Sequence, residues 1–236
     1  MREHHIAVGR TARYAVLGAA AEPATHREVW FVLHGYGQLA ATFVRQFEVL
    51  DNGTRLIVAP EALNRFYLVD VASAPASERP VGATWMTRED RQHEIHDYIA
   101  YLDALWRSFA ATISERTPPR VTVLGFSQGT ATAARWAALG AARPADLVLW
   151  GGLLPPDLDI VAPSSRLRQM RLRFVIGSRD NFVSDARLAE EELRLKAAGL
   201  DYSVDRYIGG HRIKHEPLLE LARSLGTTGL ASRESR

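Results

Sequence analysis

Length, composition and charge set the first limits on this protein. The chain has 236 residues, of which 47% are hydrophobic and 24% are charged, a composition that is typical of globular proteins and excludes an intrinsically disordered one. Its 29 basic and 27 acidic side chains give a formal net charge of +2, which gives no reason to expect a nucleic-acid partner. The chain has no cysteine, which excludes disulfides, thiolate metal sites and cysteine catalysis.

The sequence also lacks signals for membranes or export. No apolar run reaches the roughly 18 residues that a membrane-spanning helix needs, and the first residues lack the apolar segment of a signal peptide. We therefore expect a cytoplasmic protein without integral membrane association. The length fits one α/β domain over residues 1–226, followed by a frayed polar tail at 227–236.

The first predicted elements in the chain are strands. Residues 5–8 and 13–17 flank Gly9 and Arg10 and predict an antiparallel hairpin at the N-terminus. Six further runs are short and rich in apolar or β-branched residues, and we predict them as strands: 28–33, 55–59, 121–125, 146–150, 172–177 and 202–207. Several do not alternate between apolar and polar residues, as is typical of parallel strands covered on both faces.

Helical patterns separate these strands. The clearest covers 87–109 and repeats apolar residues at spacings of three and four, with Thr87 and Asp90 resembling a capping box. On this helix His93 and His96 are expected to face solvent, and because their spacing differs from H-E-x-x-H we predict no metal site. A further helix is predicted over 185–198 with Asp185 as its N-cap, and a last one ends at Gly226.

The alternation of strands and helices predicts a doubly wound α/β fold, with a mostly parallel sheet and helices on both faces. Residues 61–83 interrupt this pattern with prolines, small residues and the aromatic pair Phe66-Tyr67. We predict an irregular excursion there that forms the rim or lid of a pocket.

The strongest chemical signal is Gly125-Phe126-Ser127-Gln128-Gly129, a G-x-S-x-G motif between a predicted strand and a predicted helix. In such a turn the serine hydroxyl is exposed on a sharp, strained bend, and glycines on either side avoid steric collision. The strand–turn–helix context that the motif requires is present. We therefore predict that Ser127 is a nucleophile rather than part of a plain glycine-rich turn.

A serine nucleophile needs a base and an orienting acid, in the chain order serine, acid, histidine on this kind of sheet. Asp180 follows the predicted strand 172–177, and His211 follows the strand 202–207 after two glycines. Both therefore lie at carboxyl ends of strands, where sites of open α/β sheets form. We predict the triad Ser127, Asp180 and His211. Asp185 and His215 are weighed as the alternative acid and base, and the strand context favours the first pair.

The loop His34-Gly35-Tyr36-Gly37-Gln38 follows the predicted strand 28–33. Acyl transfer needs two backbone N–H groups aimed at the developing oxyanion, one just after the nucleophile and one from an early loop of this kind. We predict that Gln128 and Tyr36 supply them, with the flanking glycines allowing close approach of the substrate.

Together these motifs resemble the phospholipase/carboxylesterase family of α/β hydrolases, over about residues 28–225. The resemblance rests on H-G-Y-G, W-M before a helix, G-F-S-Q-G, G-S-R-D and G-G-H. It implies the α/β-hydrolase fold and a serine hydrolase without metal or organic cofactor. It also implies a substrate-binding role for Trp85. Apart from the resemblance, Phe66 in the predicted pocket rim is expected to contact substrate. Tyr36 departs from the small aliphatic residue common in the family, and Gln38 replaces an acidic one.

The motifs and the resemblance predict an enzyme that cleaves small carboxylic esters through an acyl-enzyme on Ser127. Two alternatives stay open. A thioesterase would use the same residues on acyl thiols, and a non-catalytic binding module would keep the scaffold without turnover. The chemistry of the leaving group, the acyl length and the oligomeric state are not encoded in these motifs.

Overall fold

A computed structural model describes residues 1–18, 27–70, 75–111, 118–162 and 164–227. The strands are β1 (Tyr14–Leu17), β2 (Glu28–Leu33), β3 (Arg55–Pro60), β4 (Asn64–Tyr67), β5 (Val81–Thr84), β6 (Arg120–Phe126), β7 (Asp146–Trp150), β8 (Arg171–Gly177) and β9 (Tyr202–Tyr207). The α-helices are α1 (Ala40–Phe43), α2 (Arg91–Ala110), α3 (Gln128–Leu139), α4 (Asp185–Ala197) and α5 (His215–Thr227), and short 3₁₀ helices cover Val44–Leu50, Ala76–Glu78 and Arg166–Gln169. None of the helices in the described ranges is both long and apolar enough to cross a membrane.

Seven of the strands form one sheet in the order β1-β3-β2-β6-β7-β8-β9. Neighbours pair in parallel, except that β1 runs antiparallel to β3 at the edge. The register aligns the carboxyl ends of adjacent strands, since Leu33 lies opposite Gly125 and Gly177 lies opposite Tyr207. The loops that follow β2, β6, β8 and β9 therefore open on the same edge of the sheet. The predicted doubly wound α/β fold is confirmed.

The central strands of this sheet are buried on both faces, which explains their continuous apolar runs. One core packs Val29 and Phe31 of β2 against α2, α3 and α4. The other packs Trp30 and Val32 of the same strand against α1, the 3₁₀ helix Val44–Leu50 and α5. Successive side chains of a strand point to opposite faces, so a strand covered on both sides needs apolar residues at every position.

The antiparallel pairing expected near the N-terminus is present, but its partner differs from the prediction. Tyr14–Leu17 pairs with β3, with Tyr14 opposite Pro60, whereas residues 5–8 form no strand. Ile6 and Val8 are largely exposed. A strand stabilised mainly by side-chain burial has no reason to form there, while β3 offers β1 an open sheet edge.

Two predicted helix caps are wrong by a few residues. Helix α2 begins at Arg91 because Asp90 adopts the left-handed conformation, with φ 46° and ψ 37°, and a helix cannot continue through it. The Thr87 hydroxyl instead accepts the Glu89 N–H at 3.1 Å within the preceding turn. The N-cap of α4 is Ser184, whose hydroxyl accepts the amide N–H of Arg187, and Asp185 is the first helical residue.

The stretch 61–83 is more regular than predicted. Strands β4 and β5 pair antiparallel as a separate two-stranded sheet, and the bridge between Gln38 and Ala83 joins it to the loop after β2. The predicted tail at 227–236 lies outside the described residues, apart from Thr227 at the end of α5.

Candidate active site

Ser127 occupies the sharp turn between β6 and α3. Its backbone has φ 53° and ψ −118°, a strained region for a residue with a side chain. A Cβ atom on Gly125 would lie 2.2 Å from the carbonyl oxygen of Gly129, and one on Gly129 would lie 2.3 Å from that of Leu33. Both positions therefore accept only glycine. The strain is held in place by the Ser127 N–H, which donates to the Trp150 carbonyl at 2.9 Å.

The three residues of the predicted triad lie in one hydrogen-bonded row. The Nε2 atom of His211 is 2.8 Å from the Ser127 hydroxyl, and its Nδ1 atom is 2.8 Å from Oδ2 of Asp180. Because a carboxylate only accepts, Nδ1 carries the proton and Nε2 is free to accept from the serine. The alternative residues lie elsewhere: Asp185 is exposed and pairs with Arg206, and His215 begins α5.

Asp180 is fixed independently of the histidine. Its side chain is fully buried, and its second oxygen, Oδ1, accepts the amide N–H groups of Phe182 at 2.8 Å and Val183 at 3.2 Å. These backbone N–H donors satisfy the hydrogen-bonding capacity of the buried oxygen. The loop after β8 thus presents one carboxylate oxygen to His211 and uses the other to close its own turn.

The imidazole of His211 lies between two aromatic rings. The Phe126 ring centroid is 4.9 Å from that of the imidazole and the Phe182 centroid is 4.4 Å away. Gly151, with φ 65°, completes this cradle, since a Cβ there would lie 3.0 Å from two ring atoms of His211. Sequence reasoning missed Phe182 and Gly151, because neither belongs to a motif and both reach His211 only through the fold.

The loop after β2 is held in a tight turn against the small sheet of β4 and β5. The Gly35 N–H donates to Oε1 of Gln38 at 2.8 Å, and the Gly37 N–H donates to the Ala83 carbonyl at 2.9 Å. Within the described part of the chain, the backbone N–H groups of Tyr36 and Gln128 have no hydrogen-bond partner. These are the two predicted oxyanion donors, and their role stays a prediction.

His34, a buried and neutral imidazole, stabilises this turn through both of its ring nitrogens. Its Nδ1–H donates to the Gly35 carbonyl at 2.8 Å, and its Nε2 accepts the Ala62 N–H at 3.0 Å. Burial lowers the pKa of His34 below its ordinary value, although the Gly35 carbonyl and the nearby Glu61 carboxylate oppose this. A ring that must both donate and accept cannot take a second proton without losing the Ala62 contact.

Comparison with known proteins bears on the activity. The family model described as serine hydrolase (FSH1) matches residues 25–213, a range that contains Ser127, Asp180 and His211. The chain belongs to the FSH1 serine hydrolase family. The resemblance to serine hydrolases found in the sequence is thereby confirmed. No curated protein matches this FSH1-family chain.

Solved structures share the fold of this FSH1-family protein at low sequence identity. Acyl-protein thioesterase 2 from Zea mays is 20% identical with a TM-score of 0.67, covering 92% of this chain and 99% of its own. A carboxylesterase from Mesorhizobium loti is 19% identical with a TM-score of 0.66, covering 91% and 94%. A phospholipase/carboxylesterase from Dyadobacter fermentans is 18% identical with a TM-score of 0.61, covering 93% and 98%. These likenesses confirm the α/β-hydrolase fold.

The two residues expected to bind substrate differ in position in this serine hydrolase. Phe66 is half-buried, and its ring centroid lies 5.0 Å from that of Tyr36, which is 61% exposed. Trp85 is only 1% exposed, so its ring offers almost no surface to a substrate. Its indole N–H instead donates to the His34 carbonyl at 2.8 Å. Trp85 thus stabilises the loop that carries Tyr36, because this buried hydrogen bond fixes the start of the loop at His34.

Proposed function

We propose that the protein hydrolyses small carboxylic esters, with Ser127 as nucleophile, His211 as general base and Asp180 as the group that orients the base. The observation that carries this proposal is the continuous row of two hydrogen bonds, each 2.8 Å long, from the Ser127 hydroxyl through His211 to Asp180. A base within this distance of a strained, accessible serine is the arrangement that activates a hydroxyl for acyl transfer.

The reaction would begin with attack of Ser127 Oγ on the ester carbonyl carbon while Nε2 of His211 takes the hydroxyl proton. Asp180 stabilises the resulting imidazolium through the Nδ1–H bond. The free N–H groups of Tyr36 and Gln128 would bind the oxyanion, each contributing about 3 kcal/mol. The carbon–oxygen bond to the leaving group then breaks, and the departing alcohol takes the proton from His211.

The second half of the reaction would use water in place of the alcohol. His211 removes a proton from water as it attacks the acyl carbon, and the acid leaves as Ser127 recovers its proton. Neither half requires a metal or an organic cofactor.

The aromatic pair of exposed Tyr36 and half-buried Phe66 supports the proposal that this wall contacts the acyl or alcohol group. Apolar rings beside a polar reacting centre favour small organic esters. The backbone N–H of Tyr36 is one of the proposed oxyanion donors, so its bulky side chain lies close to the reacting carbonyl. This bulk favours short acyl groups over long chains. The cytoplasmic location and a single domain over residues 1–226 stay predictions.

A fluorophosphonate probe tests the nucleophile directly. We expect the wild-type protein to form a covalent adduct on Ser127, located by peptide mass spectrometry, and to hydrolyse a short p-nitrophenyl ester. Ser127→Ala should abolish both. Ser108→Ala is the matched control, because its hydroxyl donates to the Leu105 carbonyl within α2, and both signals should persist. Absence of an adduct on folded wild-type protein would favour the binding-module alternative.

A thioesterase would show the same adduct, so the leaving group needs its own measurement. An oxoester and a thioester with the same acyl group, compared by kcat/KM, separate the two activities. We expect the oxoester to be cleaved at a rate well above background. Cleavage of the thioester alone would assign the site to the thioesterase alternative.

A further inference from the structure

Away from Ser127, three side chains that commonly bind metals converge on the surface. The Nε2 atom of His5 lies 3.2 Å from Oδ2 of Asp90, and the Nδ1 atom of His93 lies 2.6 Å from Oδ1 of the same carboxylate. One ligand atom from each residue lies within 4.8 Å of the other two. The two imidazole rings are stacked, with centroids 4.0 Å apart. We propose that His5, Asp90 and His93 bind a divalent late transition-metal ion, with Zn²⁺ as the probe.

The donor atoms and their spacing suit such an ion. Zinc binds imidazole nitrogen and carboxylate oxygen at about 2.0–2.2 Å, so neighbouring ligand atoms around one tetrahedral ion lie roughly 3.3 Å apart. The His5 nitrogen lies 3.2 Å from Oδ2 of Asp90 and the His93 nitrogen lies 2.6 Å from Oδ1. Binding of the ion through one carboxylate oxygen therefore needs a rotation of the Asp90 carboxylate and a small outward movement of His93. Two nitrogens and one oxygen select zinc, nickel or copper over magnesium and calcium, which prefer oxygen alone. A fourth position is left for water.

Two contacts of the N-terminal segment hold His5 near Asp90 and His93. Arg13 binds the buried carboxylate of Glu61 at 2.6 Å, and Arg10 donates to the side chain of Asn64 at 3.1 Å. Asn64 in turn donates to Glu94, the residue after His93. These two anchors bring His5 towards the start of α2 before any ion is present. They reduce the loss of chain entropy on metal binding, which is the main cost of joining distant segments.

The metal would therefore act as a clasp between the N-terminal segment and α2. The site uses none of the residues proposed for ester hydrolysis. His93 faces solvent, as predicted from its place on the helix. Its partner His5 is distant in the chain, so the sequence gives no sign of the cluster. The two histidines form a pair only after β1 has docked on β3 and α2 has packed on the sheet.

Isothermal titration calorimetry with ZnCl₂ tests the site on untagged, chelator-treated full-length protein, since a polyhistidine tag would itself bind zinc. We expect one zinc ion per chain, and a loss of affinity of at least about tenfold in His5→Ala and in His93→Ala. His96→Ala is the matched control: His96 is exposed on the same helix but outside the cluster, and zinc binding should be unchanged. Asp90→Asn should also weaken binding while keeping a residue that tolerates the left-handed backbone.

A second readout tests the clasp itself. Trypsin cleavage after Arg10 should slow when zinc is added to the wild-type protein, and should not slow in His93→Ala. Absence of zinc binding up to millimolar concentration would overturn the proposal. Zinc binding that survives His5→Ala, or is lost equally in His96→Ala, would also overturn it. None of these measurements depends on ester hydrolysis, so a failure here leaves the assignment of Ser127 separately testable.

Discussion

The side chain of Gln128 holds the backbone around Trp85. Its Oε1 atom accepts the Trp85 N–H at 3.1 Å, and its Nε2 atom donates to the Met86 carbonyl at 2.9 Å. Trp85 in turn donates through its indole to the carbonyl of His34. The two proposed oxyanion donors, on the loop after β2 and on the first residue of α3, therefore share one hydrogen-bonded frame.

Replacing Gln128 should loosen this frame. Gln128→Ala leaves the Trp85 N–H without its acceptor, while the Met86 carbonyl keeps the Thr84 hydroxyl as a donor, and an unsatisfied group of this kind costs about 1–3 kcal/mol. We expect a lower free energy of unfolding in urea and slower ester hydrolysis. Gln128→Glu keeps an acceptor for Trp85 but places a carboxylate oxygen against the Met86 carbonyl, so its loss of stability should be at least as large. An equal free energy of unfolding for the wild-type protein and Gln128→Ala would show that these hydrogen bonds do not contribute to stability.

Asp180→Asn separates the role of Asp180 in orienting His211 from its role in stabilising the loop after β8. The asparagine oxygen can still accept the Phe182 and Val183 N–H groups, so the fold should be retained. Its amide would face Nδ1 of His211 as a donor and favour the wrong tautomer. We expect kcat to fall by about 10⁴, as in other serine hydrolases with this change. A far-ultraviolet circular dichroism spectrum checks the fold, and a variant with near wild-type kcat would remove Asp180 from the triad.

The seven strands of the large sheet and the predicted triad follow from local sequence, whereas β4 and β5 do not. The run 146–150 matches β7 residue for residue, because a strand buried on both faces is apolar nearly throughout. The run 202–207 also matches β9, although this edge strand is only partly buried and carries polar residues. The motif around Ser127 is equally local, since the glycines that the turn requires are its immediate neighbours.

Other features depend on contacts between distant parts of the chain. Trp85 was expected beside substrate and is buried against His34, because burial is decided by the packing of β5 and α2 and not by the residue itself. The start of α2 depends on one left-handed residue, Asp90. Aspartate is common in ordinary caps, so its sequence context gives no sign of this conformation.

Phe182 should position the ring of His211. Its side chain is 62% exposed, yet its ring centroid is 4.4 Å from the imidazole. An aromatic face also stabilises a positive charge, which the imidazole acquires during acyl transfer. We expect Phe182→Ala to lower kcat by about tenfold with little change in KM. Stability should change by less than about 0.5 kcal/mol, because the side chain is on the surface.

The replacement series distinguishes packing from charge stabilisation. Phe182→Tyr keeps an aromatic face and should retain most of the wild-type kcat, while Phe182→Leu fills space without one and should fall between wild type and alanine. The matched control is Ile208→Ala, which removes another exposed apolar side chain, from the loop after β9. A change in KM alone for Phe182→Ala would assign this residue to substrate binding instead.

His34 should make the fold sensitive to mild acid. Its pKa in the folded protein is lowered by burial. Below about pH 6.5, His34 is therefore protonated more readily in the unfolded chain than in the folded protein. The stability that His34 contributes is thus present above the unfolded-state pKa and is lost as the pH falls. A single site of this kind lowers the free energy of unfolding by at most about 1.4 kcal/mol per pH unit.

Urea unfolding of wild type and His34→Gln at pH 7.5 and pH 5.5 measures this contribution. Glutamine offers an acceptor for the Ala62 N–H and has no proton to gain in this range, so the variant should lose less stability on acidification than the wild type does. The Glu61 carboxylate stays ionised throughout, because its two arginine partners and the Ala40 N–H lower its pKa more than burial raises it. The difference between the two proteins therefore isolates His34. An identical pH dependence in both would show that His34 is protonated in the folded protein and that the Nδ1–H assignment is wrong.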